Sequence, residues 1–264
     1  MRTALAMLLC FVTLAQATDS RRGLYVYTEY AETEDYAGID ITDAITIIAW
    51  IDPISYADYR PIVDKFYDGT RAYGLTIYGT SPNGELYAVI ANSTGAGAQV
   101  SGTSSGFGGV SEDLCCAAVT WDKTDGPLRF YKNGEAVSST GSGTQTMNAN
   151  NQPLRIGVDY SGSIYFYGSI GSVQIYDRAL SAEEIRGHYN HNVCVTNEGV
   201  NIVSPSAWSG STNNLVFDLD TPQAYDTGDT LTNDTQIVNH AGPNPVVNGT
   251  PEINGVFYVP DTYQ

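Results

Sequence analysis

The sequence predicts an all-β chain, a two-sheet antiparallel sandwich with one short helix at its C-terminal end. Three observations predict it. Short runs rich in Val, Ile, Thr and Tyr recur at the spacing of sandwich strands. Turn signals separate them, above all Pro82-Asn83-Gly84 and Asn133-Gly134, both hairpin marks. Helical patterning occurs once, after Ser181.

Residues 1–17 read as a secretory signal peptide. Arg2 precedes the apolar run Ala4–Ala15, and Ala15-Gln16-Ala17 is a small-x-small cleavage site. The run is too short to span a membrane, so the expectation is a secreted protein with a polar N-terminal tail at 18–22. Gly23–Tyr30 alternates and reads as a strand, followed by an acidic turn at Glu29–Asp35. Ala44–Ile51 is apolar on both faces, which marks a central, doubly buried strand ended by Pro53. Pro61–Phe66, Tyr73–Tyr78 and Glu85–Ala91 are the next strands. The polar loop Asn92–Gly109 contains a short edge strand at Ala98–Ser101.

Cys115–Trp121 reads as a buried strand, and Leu128–Lys132 pairs through Asn133-Gly134 with Glu135–Val137. After the polar loop Gly141–Asn151, strands are expected at Leu154–Ile156, Ile164–Tyr167 and Ile170–Tyr176. Ser181 then caps a helix with Glu183 and Glu184 in its first turn, which stops near Gly187–Asn190. The domain so outlined covers 23–194. A Ser/Asn/Pro-rich linker covers 195–214. A tail at 215–264 carries strands at Leu215–Leu219 and Val256–Val259 but too few to fold alone.

Asp and Glu number 29 against 12 Lys and Arg, for a formal charge of −17. That excludes nucleic acid and anionic membrane surfaces, whose phosphates require cations. Tyr at 19 and Gly at 27, with abundant Ser, Thr and Asn, is the composition of extracellular β-proteins and glycan-facing surfaces. Beyond the leader three cysteines remain, Cys115, Cys116 and Cys194. Neighbours on a strand point to opposite faces. An odd count implies one bridge plus one thiol, or an intermolecular bond. Cys115 shares the face of Val119 and Trp121, so Cys116 faces out and Cys116–Cys194 is the preferred pairing, ahead of a metal site.

Four stretches resemble a known family. Ile41–Ile51 (ITDAITIIAWI), Cys116–Asp122 (CAAVTWD), Phe130–Gly134 (FYKNG) and Gly168–Asn190 occur in the order and spacing of laminin-G-like, concanavalin-A-like domains of the pentraxin and lectin type. The resemblance covers about Tyr25 to Asn190. It implies a jelly roll, secreted recognition or adhesion, and no chemistry of its own. Family domains usually begin with strands that this chain lacks at its start. Its tail carries similar ones, at Leu215–Asp220, Asn239–Pro243 and Ile253–Val259. Leu215, Val216, Phe217 and Val256, Phe257, Tyr258, Val259 are therefore candidate donor-strand residues. They complete this domain, complete a neighbouring copy head to tail, or open a further repeat.

The carboxylate pair of a glycoside hydrolase, E-x-D-x-x-E on one strand face, does not occur. His188 and His191 read as a polar helix end rather than metal ligands. Calcium is the one cofactor the fold suggests, with Asp159, Asp218 and Asp220 as candidate oxygen ligands against an ordinary reading as solvated turn acids. Asn92, Asn233 and Asn248 head N-glycosylation sequons. Tyr67, Tyr78, Tyr87 and Tyr160 are candidates to stack on sugars, with strand-face packing as the ordinary reading. The expectation is thus a non-catalytic module that binds glycan or surface protein. The alternatives are a filament subunit built by strand donation and a carbohydrate-active enzyme without a recognisable catalytic pair.

Overall fold

A strand that is apolar on both faces needs a cover on each, and the computed structural model shows both covers. It describes residues 24–54, 58–67, 70–79, 84–92, 99–104 and 115–192, together with short strands beyond them. In chain order these are β1 (Leu24–Val26), β2 (Tyr30–Thr33), β3 (Ala44–Pro53), β4 (Asp58–Asp64), β5 (Tyr73–Gly79), β6 (Glu85–Ala91) and β7 (Gln99–Ser104). Next come β8 (Cys115–Asp122), β9 (Leu128–Lys132), β10 (Glu135–Thr140), β11 (Leu154–Ile156), β12 (Gly168–Tyr176) and helix α1 (Ala182–Asn192). The remainder are β13 (Cys194–Thr196), β14 (Gly199–Asn201), β15 (Leu215–Asp220), β16 (Asp229–Thr230), β17 (Val238–Asn239), β18 (Val246–Asn248) and β19 (Glu252–Ile253).

Two antiparallel sheets form the sandwich, with strand orders β10-β9-β8-β3-β12-β15-β17 and β18-β2-β11-β4-β5-β6-β7. β1 also pairs with β12, at Gly168–Ile170, while β15 takes Ser172–Tyr176. The core lies between the sheets, where Ile45, Ile47, Ala49, Ile51, Val119 and Trp121 meet Leu75, Ile77, Leu86, Ala88 and Ile90. On the opposite face of β3, Ile48 and Trp50 pack with Cys116, Tyr131, Tyr176, Leu180 and Ile185 beneath α1. The helix is the second cover, and Trp50 stacks on its Tyr189 at 5.7 Å.

The helix starts at a complete capping box. The Glu184 N–H donates to Ser181 Oγ at 3.2 Å, and the Ser181 N–H donates to Glu184 Oε2 at 2.9 Å. Arg178 reaches the same carboxylate with two nitrogens. The Arg178 guanidinium, helped by Ser181 and opposed by burial, holds the Glu184 carboxyl down at about 2. A lowered carboxyl stabilises the fold above its ordinary pKa and stops doing so as pH falls toward the lowered value. Urea unfolding of Ser181→Ala is expected to show a loss of about 1 kcal/mol. The contribution of Glu184 is expected to fade below pH 4.5, and Glu184→Gln should flatten that part of the stability profile.

Several expectations change. The stretch read as one strand at Gly23–Tyr30 is two strands in different sheets, β1 and β2, and β2 takes up part of the expected acidic turn. Ile164–Tyr167 makes only an isolated bridge, Val158 to Tyr165, and Tyr167 adopts φ 60°. Its ring is held between the Tyr27 ring at 4.9 Å and the Arg60 guanidinium at 4.1 Å. Gly168 follows at φ 146°, where a Cβ would stand 2.3 Å from the Asp52 carbonyl oxygen, so only glycine fits. The helix runs on through Gly187 to Asn192. Cys115 and Cys116 are both buried thiols, and the side chain of Cys194, the expected partner of Cys116, lies outside the described residues. Cys116 does face away from the sandwich core, but it is 1% exposed beneath the helix, where burial pushes its thiol up to about 12.

Candidate functional site

The open face of the seven-stranded sheet follows from strand alternation. One row of paired residues, Ala31, Ile156, Val63, Leu75 and Ala88, points inward and is buried. The adjacent row reads Glu32, Arg155, Asp64, Gly74 and Val89, and points outward. Gly74 leaves a gap in that row. A Cβ there would lie 3.1 Å from the Phe66 ring, which occupies the gap. Phe66, Val89 and Ala91 make a small apolar cluster with Tyr87 and Tyr160 packed on it.

A cleft of about 410 Å³ opens over this row. Tyr59, Tyr87 and Val89 line it from the sheet, Phe66 and Arg71 from the β4–β5 connection, and Asp159, Tyr160, Ser161 and Ile164 from the β11–β12 connection. Tyr78, half exposed, extends the aromatic surface, its ring 5.9 Å from that of Tyr87. On β7, Gln99, Ser101 and Thr103 pair with Ala91, Val89 and Tyr87.

Two carboxylates build the wall. Asp159 accepts from the N–H groups of Ser163 and Ile164, each at 2.9 Å, and from Ser161 Oγ at 2.6 Å. These bonds fold 159–164 into a tight lip. Asp64, 2% exposed, accepts from the N–H of Phe66 at 2.7 Å and of Tyr160 at 3.2 Å. The lip is thereby fastened to the sheet. Arg155 fastens it again, donating to Glu32 at 2.6 Å and to the Tyr160 carbonyl oxygen.

Burial pushes the Asp64 carboxyl up to about 7, against the pull of the Phe66 N–H and aided by the nearby Asp159 charge. A carboxyl raised from 3.8 stabilises the fold fully below 3.8 and ceases to as pH rises through about 7. Stability measured from pH 4 to pH 8 should therefore show a fall that Asp64→Asn abolishes. An unchanged slope in that variant refutes the assignment. Burial and the Asp64 charge also hold the Tyr59 phenol above its usual range, so it stays neutral.

Of the residues singled out in the sequence, Asp159, Tyr87 and Tyr160 line the cleft and Tyr78 borders it. Tyr67 is half exposed and is not among the lining residues. Asp159 does not fit a calcium ligand, since both its oxygens serve its own lip. Asp218 and Asp220 lie on β15 in the other sheet, opposite Gln174 and Ser172. Among the described residues no group of three His, Cys, Asp or Glu side chains could hold a metal. His188 is buried against Tyr176, 3.3 Å from its hydroxyl. Leu215 and Phe217 pair with Tyr176 and Ile175 of β12, and Val216 lies between them. Val256–Val259 and Asn233 fall outside the described residues. Asn92 follows β6, and Asn248 ends β18 opposite Tyr30. Sequence reading missed Tyr59, Asp64, Phe66 and Arg71.

Two facing antiparallel sheets with an aromatic cleft on one open face define a lectin-type sandwich. The chain belongs to the concanavalin A-like lectin/glucanases superfamily, in the laminin G-like family whose model matches residues 26–186. No curated protein matches it in sequence. Among solved structures, a candidate carbohydrate-binding protein from Bacteroides ovatus ATCC 8483 aligns at TM-score 0.60 and 15% identity, over 89% of this chain and 60% of its own. The chain thus spans about 60% of the length of that relative. The heptameric SAP-like pentraxin from Limulus polyphemus aligns at TM-score 0.50 and 13% identity, over 91% of this chain and 98% of its own. Both likenesses speak for the fold.

Proposed function

We propose that this chain is a non-catalytic carbohydrate-binding module and that the cleft over Asp64 and Val89 is its binding site. The observation that carries the reading is the set of rings, Tyr59, Phe66, Tyr87 and Tyr160, converging on one open sheet face. Such rings offer flat apolar faces to the C–H surface of a sugar while phenol groups reach its hydroxyls. Lectin-fold membership and the carbohydrate-binding description of the Bacteroides relative support it. Asp64 and Asp159 are 2% and 5% exposed and engaged with backbone N–H groups, which suits a wall better than an acid–base pair. The leader-like residues 1–17 favour action outside the cell. A glycan array followed by calorimetry tests the reading, with Tyr87→Ala expected to lose at least about tenfold in affinity. No binding to any glycan on the array, or full affinity in Tyr87→Ala, sinks it.

A second reading concerns assembly. β15 pairs with β12 of one sheet and β18 with β2 of the other, so the tail contributes a strand to each. A neighbour's tail meeting the same registers would join copies head to tail. Light scattering tests this: a monodisperse monomer across micromolar concentrations rules it out.

A further inference from the structure

Lys65 stands between Asp64 and Phe66, which line the cleft, but it points the other way and is fully buried. Its Nζ lies 2.7 Å from Asp35 Oδ1, 2.8 Å from the Asn150 carbonyl oxygen and 3.0 Å from that of Gln152. Asn150 Oδ1 follows at 3.2 Å and Asp40 Oδ1 at 3.3 Å. An ammonium has three protons to donate, and this cage presents five oxygens. The three closest match those protons. Asp40 Oδ1 is buried at ion-pair distance and receives no hydrogen bond. Charge is mismatched in the same sense, with one ammonium facing the carboxylates of Asp35 and Asp40.

A shell of carboxylate, amide and carbonyl oxygens with more acceptors than an ammonium can serve is the donor set of a hard divalent cation. Calcium would draw those oxygens to about 2.3–2.6 Å, in from the 2.7–3.3 Å at which they stand around nitrogen. Asp35 and Asp40 are each one quarter exposed, which leaves room for water to complete the shell. We propose that Lys65 is a tethered substitute for a divalent cation, and that its ammonium lets the cleft assemble without metal. The cage fixes what surrounds it. Asn150 Nδ2 donates to the carbonyl oxygens of Lys65 at 3.2 Å and Thr70 at 2.8 Å. The Lys65 backbone exchanges further bonds with Ala72 and Tyr73. Lys65 is thus a positioning residue for Asp64 and Phe66. Its effect on ligand rests on the binding reading above; its effect on metal dependence does not.

The test removes the tethered charge and supplies a free one. Wild type should melt at the same temperature in EDTA and in millimolar CaCl₂. Lys65→Ala and Lys65→Ser should melt lower in EDTA and recover by about 4 °C or more in CaCl₂, with no recovery in KCl of equal ionic strength. A calorimetric Ca²⁺ titration should show one site in these variants and none in wild type. Lys65→Met keeps the stem that fills the cage and should gain nothing from Ca²⁺. The proposal is overturned if wild type needs Ca²⁺, if Ala and Ser variants remain unfolded or unstabilised in Ca²⁺, or if Lys65→Met responds as they do. Loss of glycan binding in wild type with this metal pattern intact would overturn the binding site and leave the cation substitute standing.

Discussion

Trp121→Ala is expected to cost about 3–5 kcal/mol of folding stability, a large part of the margin of any single domain. Trp121 is fully buried at the centre of the sandwich core. Its indole N–H is shared between the carbonyl oxygens of Gly126 at 3.1 Å and Gly143 at 3.2 Å. The side chain therefore fills the core and also joins the turn after β8 to the loop after β10. Gly126 needs φ 90° to present that carbonyl, and Gly143 donates its own N–H to the same oxygen at 3.0 Å. Trp121→Phe separates the two roles: it keeps most of the volume and removes the donor, and should cost about 1–3 kcal/mol. Chemical denaturation decides, and an alanine variant within about 1 kcal/mol of wild type would show that the core collapses around the cavity.

Gly74→Val is expected to weaken ligand binding about thirtyfold or more, equivalent to ~2 kcal/mol. Glycine is required here by space, since the Phe66 ring and the Val63 carbonyl oxygen lie 3.1 Å and 3.2 Å from where a Cβ would be. The carbonyl cannot yield, so a branched side chain must drive the ring into the cleft. Overpacking should cost about 1–3 kcal/mol of stability as well, so affinity is to be measured on protein shown to be folded. Tyr67→Ala is the control: its ring is half exposed and is not among the lining residues, and neither stability nor affinity should move. Unchanged affinity in folded Gly74→Val would place the ligand elsewhere.

Much of the architecture is legible in local chemistry. β6, β9 and β11 match their expected bounds, and the double apolar face of Ala44–Ile51 correctly announces a covered sheet. Ser181 and Glu184 announce the helix start because a capping box is written in four residues. What escapes is what distant residues decide. Alternation reads Gly23–Tyr30 as one strand and the acids that follow as a turn, so it does not show that the chain changes sheets at Tyr27–Glu29. Ile164–Tyr167 has strand composition, but Tyr167 takes φ 60° with its ring against Arg60 and Tyr27, and regular pairing starts only at Gly168. Pro61–Phe66 reads as a strand with a charged end, and nothing local says that Asp64 will be buried at a cleft or Lys65 inside an oxygen cage. Half of the aromatic surface was legible through Tyr87 and Tyr160, which simple abundance of tyrosine drew attention to. Tyr59 and Phe66 gain meaning only when β4 is laid beside β5.

The pairing of β2 with β18 joins Tyr30 to Asn248, near the two ends of the described chain. Contacts of such high order are reached only after long loops have been closed, which puts folding on the slow, millisecond-to-second side for a β-sandwich. During synthesis the edges of β2 and β12 stay open until the last strands emerge, so the nascent chain presents unpaired backbone for that interval. Such a chain gains little from folding early, and its yield in any host should depend more on chaperone supply and growth temperature than on the stability of the finished sandwich.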